Sequence, residues 1–215
     1  MKCIFYIIVL IGFSPSFAGS YEDFFSAVQK DDASAISSLL KRGFDGNMAD
    51  PKGEHALHLA IRDNALQAVS ALLAWKKIEV ESRNKADESP LMLAALGGQL
   101  GISKRLIDLG ADVNKPGWTP LHYAATRGHL DLMRLLLDKN AYIDAASPNG
   151  TTPLMMAAFY GTPSAVKLLL EAGADPLLRN QQDLTAIDFA QKANRADSAE
   201  IIAAFVRARQ PKGKW

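Results

Sequence analysis

Gly117-Trp118-Thr119-Pro120-Leu121-His122-Tyr123-Ala124-Ala125, followed by Gly128-His129 and Leu135-Leu136-Leu137, is the stretch that decides the fold of this 215-residue chain. Thr119 is able to cap a helix by accepting a backbone N–H bond, and Pro120 in the first helical turn forfeits none. A helix therefore starts there, breaks at Gly128 and gives way to a second apolar helix. Working outward, the same order recurs. Ala27, Ala60, Ala94, Ala124, Ala157 and Ala190 lie 30 to 34 residues apart. Three residues before each stands a bulky apolar residue: Phe24, Leu57, Leu91, Leu121, Leu154 and Ile187. Twelve residues after each stands another: Leu39, Leu72, Leu106, Leu136, Leu169 and Ile202. Sixteen residues on, Gly43, Gly110, Asn140 and Gly173 occupy a slot suited to a left-handed helix cap. In the second unit Lys76 takes that slot, so the helix through Trp75 is expected to run on slightly or to end without such a cap. A period in this range marks a solenoid, whose units bury their apolar stripes only against one another.

Copies of decreasing fidelity are Thr152-Pro153-Leu154-Met155, Ser89-Pro90-Leu91-Met92, His55-Ala56-Leu57-His58 and Thr185-Ala186-Ile187-Asp188. The motif and its period resemble the ankyrin repeat, with its T-P-L-H-x-A run every 33 residues or so. The resemblance covers roughly residues 21 to 206. It implies an all-α ankyrin-repeat solenoid of about six helix-turn-helix repeats with projecting β-turn fingers, filling residues 19–206. Both end units read as caps. Glu22 and Asp23 hold the Thr-Pro slots of the first, and Gln191, Lys192 and Asn194 give the last a polar outer surface.

Ahead of the array, Lys2 precedes an apolar run from Ile4 to Phe13, and Ser16-Phe17-Ala18 precedes Gly19. This is the pattern of a signal peptide cut after Ala18, with a run too short for a comfortable membrane span. Residues 1–18 are accordingly expected to be a cleavable leader and the protein to be exported, to a bacterial periplasm or by secretion. Cys3, the sole cysteine, falls in the leader, which leaves a thiol-free chain suited to an oxidising compartment. Losing Lys2 leaves 23 cations against 23 carboxylates. That balance offers no basic face for nucleic acid. Residues 207–215, with Arg207, Arg209, Lys212 and Lys214 beside Pro211 and Gly213, are expected to form a basic disordered tail.

Chemistry has little footing. There is no G-x-S-x-G, H-E-x-x-H or P-loop pattern, and the carboxylates are scattered. His58 and His122 occupy the repeat's own His slot, where the resemblance implies a hydrogen bond between adjacent turns. His129 holds a common family position, and His55 replaces a capping Thr. No catalytic, cofactor or metal site is expected.

The resemblance implies a concave groove with fingers on one side and the outer face of each first helix as its palm. Finger-base positions are Glu54, Glu88, Trp118, Thr151 and Leu184. Palm positions include Arg62, Leu96, Thr126-Arg127 and Phe159-Tyr160. Trp118, Phe159 and Tyr160 are expected on one face with Arg127 between them, and Trp, Tyr and Arg are the residues that dominate interface energetics. The candidate contact residues are thus Trp118, Arg127, Phe159 and Tyr160, with Lys115, Thr126, Glu88 and Arg62 around them. One finger is short. Helix end to next cap takes twelve residues from Gly43 to His55, from Asn140 to Thr152 and from Gly173 to Thr185, but nine from Gly110 to Thr119. The loss is confined to Asn114-Lys115-Pro116-Gly117 and is expected to open a notch beside Trp118.

These readings converge on an exported module, monomeric when unbound, that docks a folded partner protein in its groove to inhibit, stabilise or position it. Immunity protein and enzyme helper are two forms of that role. The other class, a small-ligand binder or enzyme using the groove as a pocket, requires a polar cluster of perturbed ionisation that no motif here supplies.

Overall fold

Helices of seven to nine residues, such as Ala56–Arg62 and Leu66–Ala74, are too short to persist alone, so their stability has to come from stacking. A computed structural model of the protein describes residues 15–209. Among the described residues there are twelve helices and no named strand: α1 Pro15–Gln29, α2 Ala33–Lys41, α3 Ala56–Arg62, α4 Leu66–Ala74, α5 Pro90–Leu96, α6 Leu100–Asp108, α7 Pro120–Arg127, α8 Leu130–Asp138, α9 Pro153–Phe159, α10 Pro163–Glu171, α11 Ala186–Lys192 and α12 Ala196–Arg209. They form six antiparallel-type pairs. Odd-numbered helices stack on odd and even on even, so the chain is a two-layered all-α solenoid, as its period predicts.

The repeated apolar register is the core. Ala60, Ala94, Ala124, Ala157 and Ala190 are completely buried, and so are Leu72, Leu106, Leu136, Leu169 and Ile202 on the second helices. Each such Leu or Ile contributes about 2 kcal/mol of burial. Ile187 alone of its series is only half-buried, because it belongs to the last layer. Gln191, Lys192 and Asn194 are exposed there.

Local chemistry sets the boundaries. Ser89, Thr119, Thr152 and Thr185 are N-caps, with Pro90, Pro120 and Pro153 opening the helices behind the first three. Gly43, Gly110, Asn140 and Gly173 are left-handed, at φ 94°, 96°, 63° and 107°. The second unit lacks that cap: α4 ends in extended backbone at Trp75, φ −79° and ψ 121°. Trp75 is half-buried and lies over the loop at Gly46. Gly161 is required by close approach, since a Cβ there would overlap the carbonyls of Ala125 and Ala157.

Two boundaries differ from expectation. Neither Glu22 nor Asp23 caps anything, because with no Pro or Ser/Thr at those slots α1 runs unbroken from Pro15. At the other end α12 continues through Arg207 and Arg209, inside the expected disordered tail. Arg207 pairs with Glu200 at 2.7 Å and the Arg209 guanidinium lies 4.2 Å from the Phe205 ring centroid, so the cations are used one helical turn or two away. Residues 210–215 lie outside the described residues. So do residues 1–14, which hold most of the expected leader; the expected cut after Ala18 falls within α1. No described helix is long and apolar enough to cross a membrane.

Candidate partner-docking groove

Four fingers share one construction. The backbone N–H of Asp50, Asn84, Ser147 or Asn180 donates to the carbonyl four residues on, of Glu54, Glu88, Thr151 or Leu184, at 2.8, 3.2, 3.0 and 3.0 Å. Gly53, Asp87, Gly150 and Asp183, all left-handed, close the turn by donating back to the first residue at 2.8 to 2.9 Å. The finger before Trp118 has the left-handed residue, Gly117 at φ 85°, but neither bond. Its location is pinned by Asn114. The Asn114 side chain donates to the Asn140 carbonyl and accepts from the Tyr142 N–H, both at 2.8 Å. Asn47 does the same toward Lys77 and Glu79, at 2.8 and 3.0 Å. Eight residues then separate Asn47 from His55 but five separate Asn114 from Thr119, so the missing three come from the finger tip itself.

Histidines hold fingers to helices. His122 is completely buried, and its Nδ1 accepts from the Thr119 N–H at 3.1 Å and lies 2.9 Å from the Thr119 hydroxyl. Nε2 therefore carries the proton and donates to the Thr151 carbonyl at 2.9 Å. Burial pulls the ring's pKa down to about 4, against the bond to Thr151. His58 likewise meets the Glu88 carbonyl through Nε2 at 3.0 Å, and burial lowers its pKa, but its Nδ1 has no partner. Met92 and Met155 fill the same slot with sulfur that accepts from the cap N–H at 3.4 Å each, and the Met92 sulfur also accepts from Arg83 Nη1 at 3.9 Å.

The palm divides into two joined clefts. A cleft of about 560 Å³ is lined by Arg62, Glu88, Leu93, Leu96, Gln99, Arg127 and His129 among others. A second, about 210 Å³, is lined by Leu96, Trp118, His122, Tyr123, Thr126 and Met156. Leu96 is common to both. Charge in the larger cleft is mostly committed. Glu88 accepts from the Tyr123 hydroxyl and from Asn84, both at 2.8 Å, and Arg62 pairs with Glu54 at 3.2 Å and Asp63 at 3.8 Å. Burial, then the bond to Glu88, raises the Tyr123 phenol far above its ordinary range. His129 Nε2 meets the Leu96 carbonyl at 3.1 Å. Arg127 is exposed and makes no ion pair or side-chain hydrogen bond among the described residues.

The expected residues are thus brought together in groups. Arg62, Glu88 and Arg127 share the first cleft; Trp118 and Thr126 share the second. The Phe159 and Tyr160 rings meet at a tilt of 56° with centroids 4.5 Å apart, and Phe159 meets Phe189 at 6.0 Å, while the Trp118 ring meets His122 at 5.2 Å. Arg127 shares a cleft with Arg62 and Leu96, and its neighbour Thr126 shares the other with Trp118 and Met156, so these two palm residues of α7 line different clefts that meet at Leu96. Lys115 pairs with Asp87, which lowers the Asp87 pKa through that hydrogen bond, and so is spent on tying neighbouring fingers. Tyr123 and Met156 were missed. Both occupy the variable position of the T-P-L-H-x-A run, which holds Leu59, Leu93, Tyr123, Met156 and Phe189, bulky in every copy. That uniform bulk was a readable signal of a groove-facing stripe. Among the described residues no group of three or more His, Cys, Asp or Glu is placed to hold a metal ion.

A family model for ankyrin repeats (3 copies) matches residues 24–116, 76–147 and 114–180. The nuclear factor NF-kappa-B p105 subunit of Gallus gallus is 33% identical over 169 residues, covering 75% of this chain but only 17% of that protein. This chain therefore spans a small part of that relative's length. Among solved structures, a chain in the complex of the Bd0816 predatory endopeptidase from Bdellovibrio bacteriovorus with immunity protein Bd3460 is similar, at 29% identity and a TM-score of 0.74. The match covers 85% of this chain and 97% of that one. An ankyrin repeat domain, ABAYE2397 from Acinetobacter baumannii AYE, matches at 26% identity and a TM-score of 0.71, over 85% and 97% of the two chains. Ankyrin repeats mediate protein–protein interaction. Motif, stacking and a family model that spans residues 24–180 agree: the chain belongs to the ankyrin-repeat family.

Proposed function

We propose that the protein is an exported interaction module that docks one folded partner protein in its concave groove and thereby inhibits, stabilises or positions it. The observation that carries this reading is the apolar and aromatic lining of the palm. Leu96, Trp118, Tyr123 and Met156 line one cleft, and α9, which supplies Met156, also carries the Phe159–Tyr160 pair with Tyr160 half-exposed. Large exposed apolar patches on a folded protein mark interaction sites. Support for the immunity form comes from the Bdellovibrio complex, in which a similar chain belongs to an endopeptidase–immunity protein assembly. Support for export is the leader-like run over residues 1–18. The same run supports a periplasmic location, with secretion as the alternative.

The test is to express the full chain with a C-terminal affinity tag, crosslink in the cell, and compare it with a Trp118→Ala, Tyr160→Ala double variant of unchanged circular dichroism. The expected result is one stoichiometric protein captured by the first and lost from the second, on bait whose intact mass corresponds to a chain starting at Gly19. Identical captures on both baits, or none on either, would overturn the docking reading. An intact bait retaining Met1 would overturn export by this leader.

A further inference from the structure

We infer that the cleft at Trp118, beside the shortened finger, takes one apolar side chain of a partner segment, and that Arg127 takes a carboxylate next to it on that segment. The inference rests on the docking reading above and names the chemistry of its occupant.

Three observations lead there. First, the gap is local: Asn114 and Thr119 keep their bonding roles, so only the tip between them is lost, and Trp118 stands beside the gap where the other repeats carry a closed turn. Second, the cleft at Trp118 has the wrong size for a drug-sized molecule and the right walls for a side chain. Its volume of about 210 Å³ lies below the roughly 300–1,000 Å³ of small-molecule pockets, and Leu96, Trp118, Tyr123 and Met156 give it an apolar lining. The Tyr123 hydroxyl is turned away to Glu88, which leaves the ring as the wall. Third, charge decides what lies alongside. Across Leu96, in the adjoining cleft, Glu88 and Arg62 are satisfied within the molecule and His129 is bonded to a carbonyl, whereas Arg127 is exposed and uncommitted. An exposed guanidinium with no internal partner, next to an apolar pocket, complements a carboxylate in planar, bidentate geometry. An acidic residue flanking Leu, Met or Phe meets both demands.

A random linear-peptide phage library panned on the full chain tests this directly. Enriched peptides are expected to place Asp or Glu beside Leu, Met or Phe, and a selected peptide, followed by fluorescence anisotropy, should lose about tenfold or more in affinity to Trp118→Ala. Arg127→Glu should shift the enriched charge from acidic to basic. Inserting three residues after Pro116 to rebuild the finger tip should also abolish binding, with circular dichroism and the thermal midpoint reporting an intact fold. No enrichment, enrichment without the acidic–apolar pairing, or peptides indifferent to Trp118→Ala and Arg127→Glu would overturn the proposal. If panning fails while tagged protein still captures a partner through Trp118 and Tyr160, the cleft chemistry is wrong and the docking reading stands. Cleft-bound peptides alongside a captured partner indifferent to the double variant would support the cleft and remove the docking reading.

Discussion

The second and fourth repeats carry the same histidine in the same slot and use it differently. In the fourth, Thr119 caps α7 and the His122 ring closes a chain from Thr119 through Nδ1 and Nε2 to Thr151, so both nitrogens are satisfied. In the second, His55 stands where Thr would, its Nδ1 donates to the Asn47 carbonyl instead, and the buried His58 Nδ1 is left without a partner. Charge runs the other way. Arg62 of the second repeat is tied to Glu54 and Asp63, while Arg127 of the fourth has no ion pair among the described residues. One repeat spends its polar groups on its own surface and leaves a defect in its core. The other perfects its core and keeps its surface cation for something else.

Acid should expose the largest difference. The folded protein holds His122 neutral down to about pH 4, whereas the unfolded ring takes up a proton near its ordinary value of about 6.5. Stability is therefore highest above 6.5, falls as the pH drops toward 4, and changes no further below that on this group's account; the loss from His122 is about 3 kcal/mol. Urea unfolding at pH 7, 5.5 and 4 should show it, and His122→Ala should flatten the slope. At pH 7, His122→Ala should itself cost about 3 kcal/mol, since it strands the Thr119 N–H and the Thr151 carbonyl. His58→Ala should cost about 1 kcal/mol less, because only one bond is lost and an orphan nitrogen goes with it. Equal costs would erase the contrast between the two repeats. His55→Thr should give the second repeat the fourth repeat's Thr–His pair, placing a hydroxyl beside the orphan His58 Nδ1, and raise stability by about 1 kcal/mol, readable as a higher denaturation midpoint. Smallest of all, Arg62→Ala should lower stability by about 0.5 kcal/mol and Arg127→Ala by nothing measurable, as befits an exposed pair against an unpaired charge. A stability cost at Arg127 equal to that at Arg62 would show Arg127 to be committed after all.

Much of this was legible beforehand because repeats make local signals redundant. Pro90, Pro120 and Pro153 fall at helix starts, Gly43, Gly110 and Gly173 at left-handed helix ends, and the short finger where the count of residues puts it. The ends were harder. The first helix reaches back into the stretch that reads as leader, and the basic run after residue 206 reads as solvated until Glu200 and Phe205 come within reach of it on α12. In the groove, Trp118 and Arg127 were picked as residue types, but their grouping was not readable. Lys115, a candidate contact residue, is paired to Asp87, and Tyr123, which was given no role, is a cleft wall.

By itself the sequence determined the period, the helix boundaries inside each unit, the inward register and the place of the missing finger tip. All of these depend on interactions within about one turn of the chain or on strict recurrence, which a linear reading can count. Only the tertiary structure decided which charges are spent and which remain. The Lys115–Asp87 and Tyr123–Glu88 contacts join residues 28 and 35 apart, and the two clefts meet at Leu96 from a third repeat. Stacking one repeat on the next creates those distances, and no periodicity encodes them.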